Sequence, residues 1–182
     1  VVQAVGGLSF KSGLPGREPS GWGLSYMDNQ AAYYNSAGLL LAIYQRMLTG
    51  QGTEVDVSAI EAGIGLLGSD LLDTVVNDRP SRRPDYPRGN RLEHPTAAPH
   101  GVYPAAGTDQ WIAIAVFSEA DWKALQTVMG DPAWASDARF ATADQRIVHQ
   151  DELDAAMSGW TRDQDKHRLM GALQDAGIAA GA

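Results

Sequence analysis

The chain of 182 residues contains no cysteine. It therefore has no disulfide framework, no thiolate nucleophile and no cysteine-ligated zinc. That absence fits a reducing cytoplasm, which is the expected compartment. Basic residues are in deficit: 14 Lys and Arg stand against 22 Asp and Glu, for a net charge of −8. Non-specific attraction to nucleic acid or to anionic membrane is thereby disfavoured, and neither is an expected partner. Long apolar runs are missing as well. The longest, Ala37–Ile43, falls well short of the roughly 18–20 residues that a membrane-spanning helix needs. The opening VVQAVGGLSF carries no basic segment and no initiating Met, so no signal peptide is expected, and a piece of a longer protein is.

Recognisable catalytic signatures are scarce too. His94, His100, His149 and His167 sit at no metal-ligand spacing, so no metal site is expected. GLPGREPSG and TGQGTEV match neither the phosphate loop nor the dinucleotide fingerprint. Ser25 and Ser58 lie outside any G-x-S-x-G elbow.

What is present reads as a layered α/β arrangement. Gln30 to Leu48 has apolar residues at three- and four-residue intervals (Tyr33, Ala37, Leu40, Leu41, Tyr44, Leu48), with Leu39, Ala42, Ile43 and Met47 on the other faces. A helix apolar nearly all round is expected to be buried, with Asp28 or Asn29 as its N-cap and Gly50 ending it. TEVDVS, Thr53–Ser58, alternates as a strand does. Ser58 and Glu61 then form a capping box opening a second helix to about Val76.

Asn77 to Pro99 holds five Pro and five Arg, the composition of a lid or linker. Its arginines Arg79, Arg82, Arg83, Arg88 and Arg91 could grip phosphate or simply be solvated. GVYPAAGTDQWIAIAV predicts a hairpin. Helices are predicted over Glu119–Met129, Asp144–Trp160 and Arg162–Ala176, with Ser118 and Thr161 as caps. Trp111, Trp122, Trp134 and Trp160 are read as packing residues.

One acid stands apart. Asp28 opens the apolar helix, and the next charge is Arg46. A lone carboxylate there reads first as a cap. The positive end of a helix also favours the anion, and an apolar floor would keep water from it, which is what a carboxylate nucleophile needs.

Asp28, the apolar helix, TGQGTEVDVSAIEA and GN…APHGVYPAAGTDQWIAIAV together resemble the family III CoA-transferases, which include formyl-CoA and carnitine CoA-transferases and the α-methylacyl-CoA racemases. VVQAVGGL, DPAWASDARFATADQR, DELDAAMSGW and AGIAAG continue the resemblance across the chain. Members are about twice as long, so the chain looks like an internal piece. The resemblance implies an α/β fold: residues 1–77 would be part of a Rossmann-like large domain, and residues 78–182 a linker and a small α+β domain. It also implies a dimer of interlocked subunits.

By that resemblance the catalytic aspartate falls on Asp28. The implied reaction moves coenzyme A from an acyl-CoA to a carboxylic acid through mixed-anhydride and aspartyl-CoA thioester intermediates, with acyl-CoA as substrate and no permanently bound cofactor. Backbone N–H groups at the helix start and a mobile loop would hold the oxyanions. Some members fold a glycine loop over the aspartate. Here RGNRLEHPTAAPHG stands in that place, and only Gly89, Asn90 and Gly101 resemble it. Racemisation of a 2-methylacyl-CoA, or a catalytically incomplete piece serving folding or dimerisation, are the alternatives. Asn-Gln-Ala after Asp28, rather than a glycine run, favours transfer.

Overall fold

The structure, a computed structural model, describes residues 1–19, 21–82, 87–92 and 95–182. His94 and Arg83, named above, lie outside the described residues. The chain divides into two compact units, Val1–Gly89 and Asn90–Ala182.

The first unit is helical. Two single turns, α1 (Val2–Val5) and α2 (Leu8–Lys11), precede the long α3 (Tyr26–Thr49), and α4 (Ala59–Ile64) and α5 (Gly68–Asn77) follow. Gly50, with φ of 74°, takes the left-handed conformation that ends α3. Ser58 caps α4 through its Oγ, which accepts from the Glu61 N–H. The single helix expected from there to Val76 is instead broken by a 3-10 turn at Gly65–Leu67. Gly63, Gly65 and Gly68 cluster at that break, and each lowers helix propensity by about 1 kcal/mol relative to Ala.

Three expectations fail in this unit. Thr53–Ser58 forms no strand. A strand needs a hydrogen-bonded neighbour; here Val55 packs against α3, its Cγ1 lying 2.8 Å from where a Cβ on Gly38 would stand. Val55 thus faces a helix, not a sheet. Second, α3 is not buried: among its residues only Met27 is, while Leu40, Leu41, Tyr44, Met47 and Leu48 are each at least 60% exposed. Within the unit α3 packs on α4, where Met27 covers Gly63, and its other faces stay open. Third, the helix begins earlier than expected. Its N-cap is Ser25, so Asp28 is a first-turn acid and not the cap.

The second unit holds a closed core. Strands β1 (His100–Pro104) and β2 (Trp111–Ala115) form the expected antiparallel hairpin, with Val102 opposite Ala113 and Tyr103 opposite Ile112. A third strand, β3 (Ala179–Gly181), was not anticipated; it pairs antiparallel with β2. Tyr103, Ile112 and Ile114 turn inward against α6 (Glu119–Met129), α8 (Gln150–Thr161) and α9 (Lys166–Asp175), joining Trp122, Leu125, Leu153, Met157, Leu169 and Leu173 in one cluster. The sheet's other face carries Val102, Trp111 and Ala113, all exposed.

Ser118 makes a full capping box with Asp121 at the start of α6. The helix expected over Asp144–Trp160 is split at His149 into α7 (Ala143–Val148) and α8. Thr161 does not cap a helix start: it is buried in the last turn of α8, its hydroxyl donating to the Met157 carbonyl. Asp165 caps α9 instead. Of the tryptophans, Trp122 is core, while Trp111 is half exposed, because its strand position alternates outward.

Candidate active site

In the first unit, Asp28 is the third residue of α3, placed there because the chain turns into the helix at Ser25. A carboxylate in a first turn faces unpaired N–H groups and the positive end of the helix. Its surroundings differ from the expectation in two ways. The side chain is exposed, not sunk on an apolar floor, because Met27 beside it takes the inward position against Gly63 and Leu8. Three of the nearby N–H groups are also already engaged: Tyr26 donates to the Leu24 carbonyl, and Asp28 and Asn29 donate to that of Ser25. The helix start therefore offers an oxyanion fewer donors than sequence reasoning supposed.

Gly89 has φ of 62°, a left-handed turn that suits glycine. A Cβ there would also lie 2.9 Å from Pro15. Its need for glycine is local packing against the Leu14–Pro15 loop.

Asn90 and Gly101, far apart in sequence, meet in the second unit. They line the same cavity beside His100, whose Nδ1–H donates to the Asn90 carbonyl. Gly101 is glycine for a steric reason, since a Cβ would come within 3.0 Å of the Tyr103 hydroxyl. That hydroxyl donates to Asp154 at 2.9 Å. Burial and the adjacent Asp154 carboxylate push the Tyr103 phenol well above its ordinary value, so it remains a donor. Arg91 closes the network, reaching Asp154 at 2.8 Å and Asp151 at 2.5 Å.

A second anchor escaped sequence reasoning altogether. Arg146 is almost wholly buried and lies over the Trp122 ring, 4.8 Å from its centroid. Its Nε donates to the Ala98 carbonyl at 2.8 Å, Nη1 to that of Phe140 at 3.1 Å, and the guanidinium forks onto Glu119 at 2.9 and 3.1 Å. Glu119 also accepts from the Ala143 N–H. The Arg146 hydrogen bonds outweigh desolvation and hold the Glu119 carboxyl below the usual range. The segment leading into His100 and Gly101 is thus fixed by Arg146 at Ala98, and again where Val116 donates to Pro99. Glu119 lies 27 residues from its partner, so no local spacing announces the pair.

Other arginines of the long loop have intrachain partners: Arg79 lies near Asp73, and Arg82 over the Phe10 ring. No group of three or more His, Asp and Glu able to hold a metal occurs among the described residues, and no described helix is long and apolar enough to cross a membrane.

Comparison with known proteins agrees along the whole chain. The family pattern described as CoA-transferase family III matches residues 1–182. A succinyl-CoA–D-citramalate CoA-transferase of Chloroflexus aurantiacus is 33% identical over 181 residues, covering 100% of this chain and 43% of that protein. An acetyl-CoA:oxalate CoA-transferase of Acetobacter aceti is 30% identical over 183 residues, 100% of this chain and 45% of that protein. Among solved structures, a CAIB/BAIF family protein from Brucella suis superposes with a TM-score of 0.85 at 25% identity, covering 100% of this chain and 46% of that one. The chain spans less than half the length of these curated relatives.

Proposed function

The chain belongs to CoA-transferase family III, and from that premise we propose that the whole protein moves coenzyme A from an acyl-CoA to a carboxylic acid, with Asp28 as the covalent carrier. The observation supporting that role is the position of Asp28: an exposed acid in the first turn of α3, at the point where the resemblance puts the nucleophile.

The chemistry closes without any resident cofactor. The Asp28 carboxylate attacks the thioester carbonyl, and the C–S bond breaks to release the CoA thiolate and leave a mixed anhydride. The thiolate attacks the aspartyl carbonyl, expelling the donor acid and forming an aspartyl-CoA thioester. The acceptor carboxylate attacks that thioester, again expelling thiolate. The thiolate then takes the acceptor's acyl group, and Asp28 returns as a carboxylate. Each tetrahedral intermediate needs donors on its oxyanion. With three of the N–H groups at the start of α3 engaged, those donors come largely from elsewhere in the protein. The division into a large domain over residues 1–77 and a linker with a small domain over 78–182, and an interlocked homodimer, are part of the same proposal.

Hydroxylamine trapping tests it. The whole protein, turning over an acyl-CoA, should give an Asp28 hydroxamate in the corresponding peptide by mass spectrometry, and Asp28→Asn should abolish both adduct and transfer. An unmodified Asp28 in an enzyme that still turns over would sink the role. Solvent deuterium entering the α-carbon with no acceptor acid present would mark racemisation instead.

A further inference from the structure

Among the described residues of the first unit, the buried hydrophobic side chains are Leu8, Met27 and Ala62. Met27, directly before Asp28, is also the one buried residue of α3. Gly63, itself buried, follows Ala62 in α4 and has no side chain to oppose Met27. A Cβ on Gly63 would collide with the Met27 Cε, and would lie 3.2 Å from its Sδ and 3.9 Å from the Leu8 Cδ1. The Met27 thioether thus fills a socket floored by the Gly63 backbone and walled by Leu8. The little core that this unit has lies under the mouth of its long helix.

Farther along the same helix face the fastening is looser. Tyr34 and Gly38 stand seven and eleven residues after Met27, spacings that keep all three on one face. The Tyr34 hydroxyl lies 3.2 Å from where a Cβ on Gly65 would stand, but the side chain is 47% exposed. Val55, against Gly38, is only half-buried. Helix ends ordinarily fray; α3 is instead pinned most firmly at its first turn. One residue along a helix rotates the side chain by about 100°. Holding Met27 inward therefore fixes the direction in which Asp28 leaves the helix, which is outward to solvent. The backbone of the turn is closed as well, since the Ser25 carbonyl accepts from the Asp28 and Asn29 N–H groups.

We propose that Met27, seated in the Gly63 socket, is the positioning residue for Asp28, setting the line along which its carboxylate meets a thioester carbonyl. The inference rests on the reading of Asp28 as covalent carrier and deepens it by naming what holds that carboxylate in place. Position matters at this scale, because a displacement of about 1 Å can cost on the order of 100-fold in rate.

Met27→Ala empties the socket. In the whole protein it should lower kcat by ~10- to ~100-fold with KM for the acyl-CoA unchanged, and should slow hydroxylamine capture at Asp28 in step. Met27→Leu, close in volume, should keep most of the activity. Val55→Ala removes packing from the same face of α3 at a distance from Asp28; it should lower stability and leave kcat alone, which separates positioning from packing. In the chain of 182 residues, Met27→Ala should also shift the ¹³Cγ signal of Asp28 and broaden the amide signals of residues 26–29. Hydrogen exchange on the unaltered chain needs no variant. The amides of Gln30 and Ala31, whose N–H groups reach back to the first turn, should be better protected than those of residues 46–49 in the last. Weaker protection there overturns the socket, whether or not any variant folds. So does a Met27→Ala enzyme with undiminished kcat, or a Val55→Ala enzyme that loses as much. Turnover by the unaltered enzyme without an Asp28 adduct defeats the transfer reading alone, since exchange and the Asp28 signal still report on the socket. A normal adduct beside a frayed first turn defeats this inference alone.

Discussion

The two units of the chain treat similar apolar sequence in opposite ways. Of the nineteen buried hydrophobic residues among those described, three (Leu8, Met27 and Ala62) lie in Val1–Gly89 and the rest in Asn90–Ala182. The first unit nevertheless has the longest helix, rich in apolar side chains. Nine large apolar side chains of α3, from Tyr33 to Leu48, are each at least 47% exposed. Exposure of so many large apolar side chains on one helix is unusual for a monomer surface. In the second unit, apolar residues on three strands and three helices face one another and close. Hydrophobic content alone therefore does not make a core; it needs a second apolar layer in reach.

The contrast can be broken or sharpened by mutation. The largest effect is expected for Arg146→Met, which leaves the buried Ala98 and Phe140 carbonyls without their side-chain donor and takes the counter-charge from Glu119. The half-exposed Glu119 is resolvated and keeps the Ala143 N–H, but each buried carbonyl left without a donor costs about 1–3 kcal/mol, read by urea unfolding followed through the near-ultraviolet signal of Trp122. Leu153→Ala, at a fully buried position, should cost about 2–5 kcal/mol in the same experiment. Its counterpart Leu40→Ala in α3, where the side chain is 67% exposed, should change the isolated chain's stability by no more than about 0.5 kcal/mol. Equal losses at the two leucines would mean that α3 is covered after all.

Gly101→Ala is intermediate. The new methyl meets the Tyr103 hydroxyl and should cost about 1–3 kcal/mol as overpacking, and Tyr103→Phe in the same chain should recover part of it. The smallest effect is a pH dependence. Because the Arg146 hydrogen bonds lower the Glu119 carboxyl, its contribution is complete above the ordinary glutamate range, near 4.3. It is lost as pH falls from there through the lowered folded-state value. Glu119→Gln should flatten that part of an acid-unfolding curve. Glu119 is itself more than half exposed, so the change is modest.

Much of the second unit was legible. The hairpin over Val102 and Ile112, the Ser118 capping box and the course of α6 follow from local pattern, and the structure has them. Of Gly89, Asn90 and Gly101, singled out by resemblance, the last two line one cavity and Gly89 does not. The failures share a cause. Among the described residues Thr53–Ser58 has strand periodicity but no neighbouring strand, α3 has the composition of a buried helix but packs chiefly on α4, and β3 is three residues of Ala and Gly with no pattern of their own.

By itself the sequence determined the family, the apolar helix, the caps whose partner lies three residues away, and a lone acid at a helix mouth. Periodicity, capping and motif spacing are set by near neighbours along the chain, so they can be read from it. Only the tertiary structure decided that Asp28 is a first-turn residue exposed to solvent, that Arg146 and Glu119 anchor the Ala98–Gly101 segment, and that His100 turns its Nδ1 toward Asn90. Those facts depend on groups from 10 to 48 residues apart being brought within hydrogen-bond reach. Packing makes that choice, because a buried polar group must find its partner wherever the fold has left one.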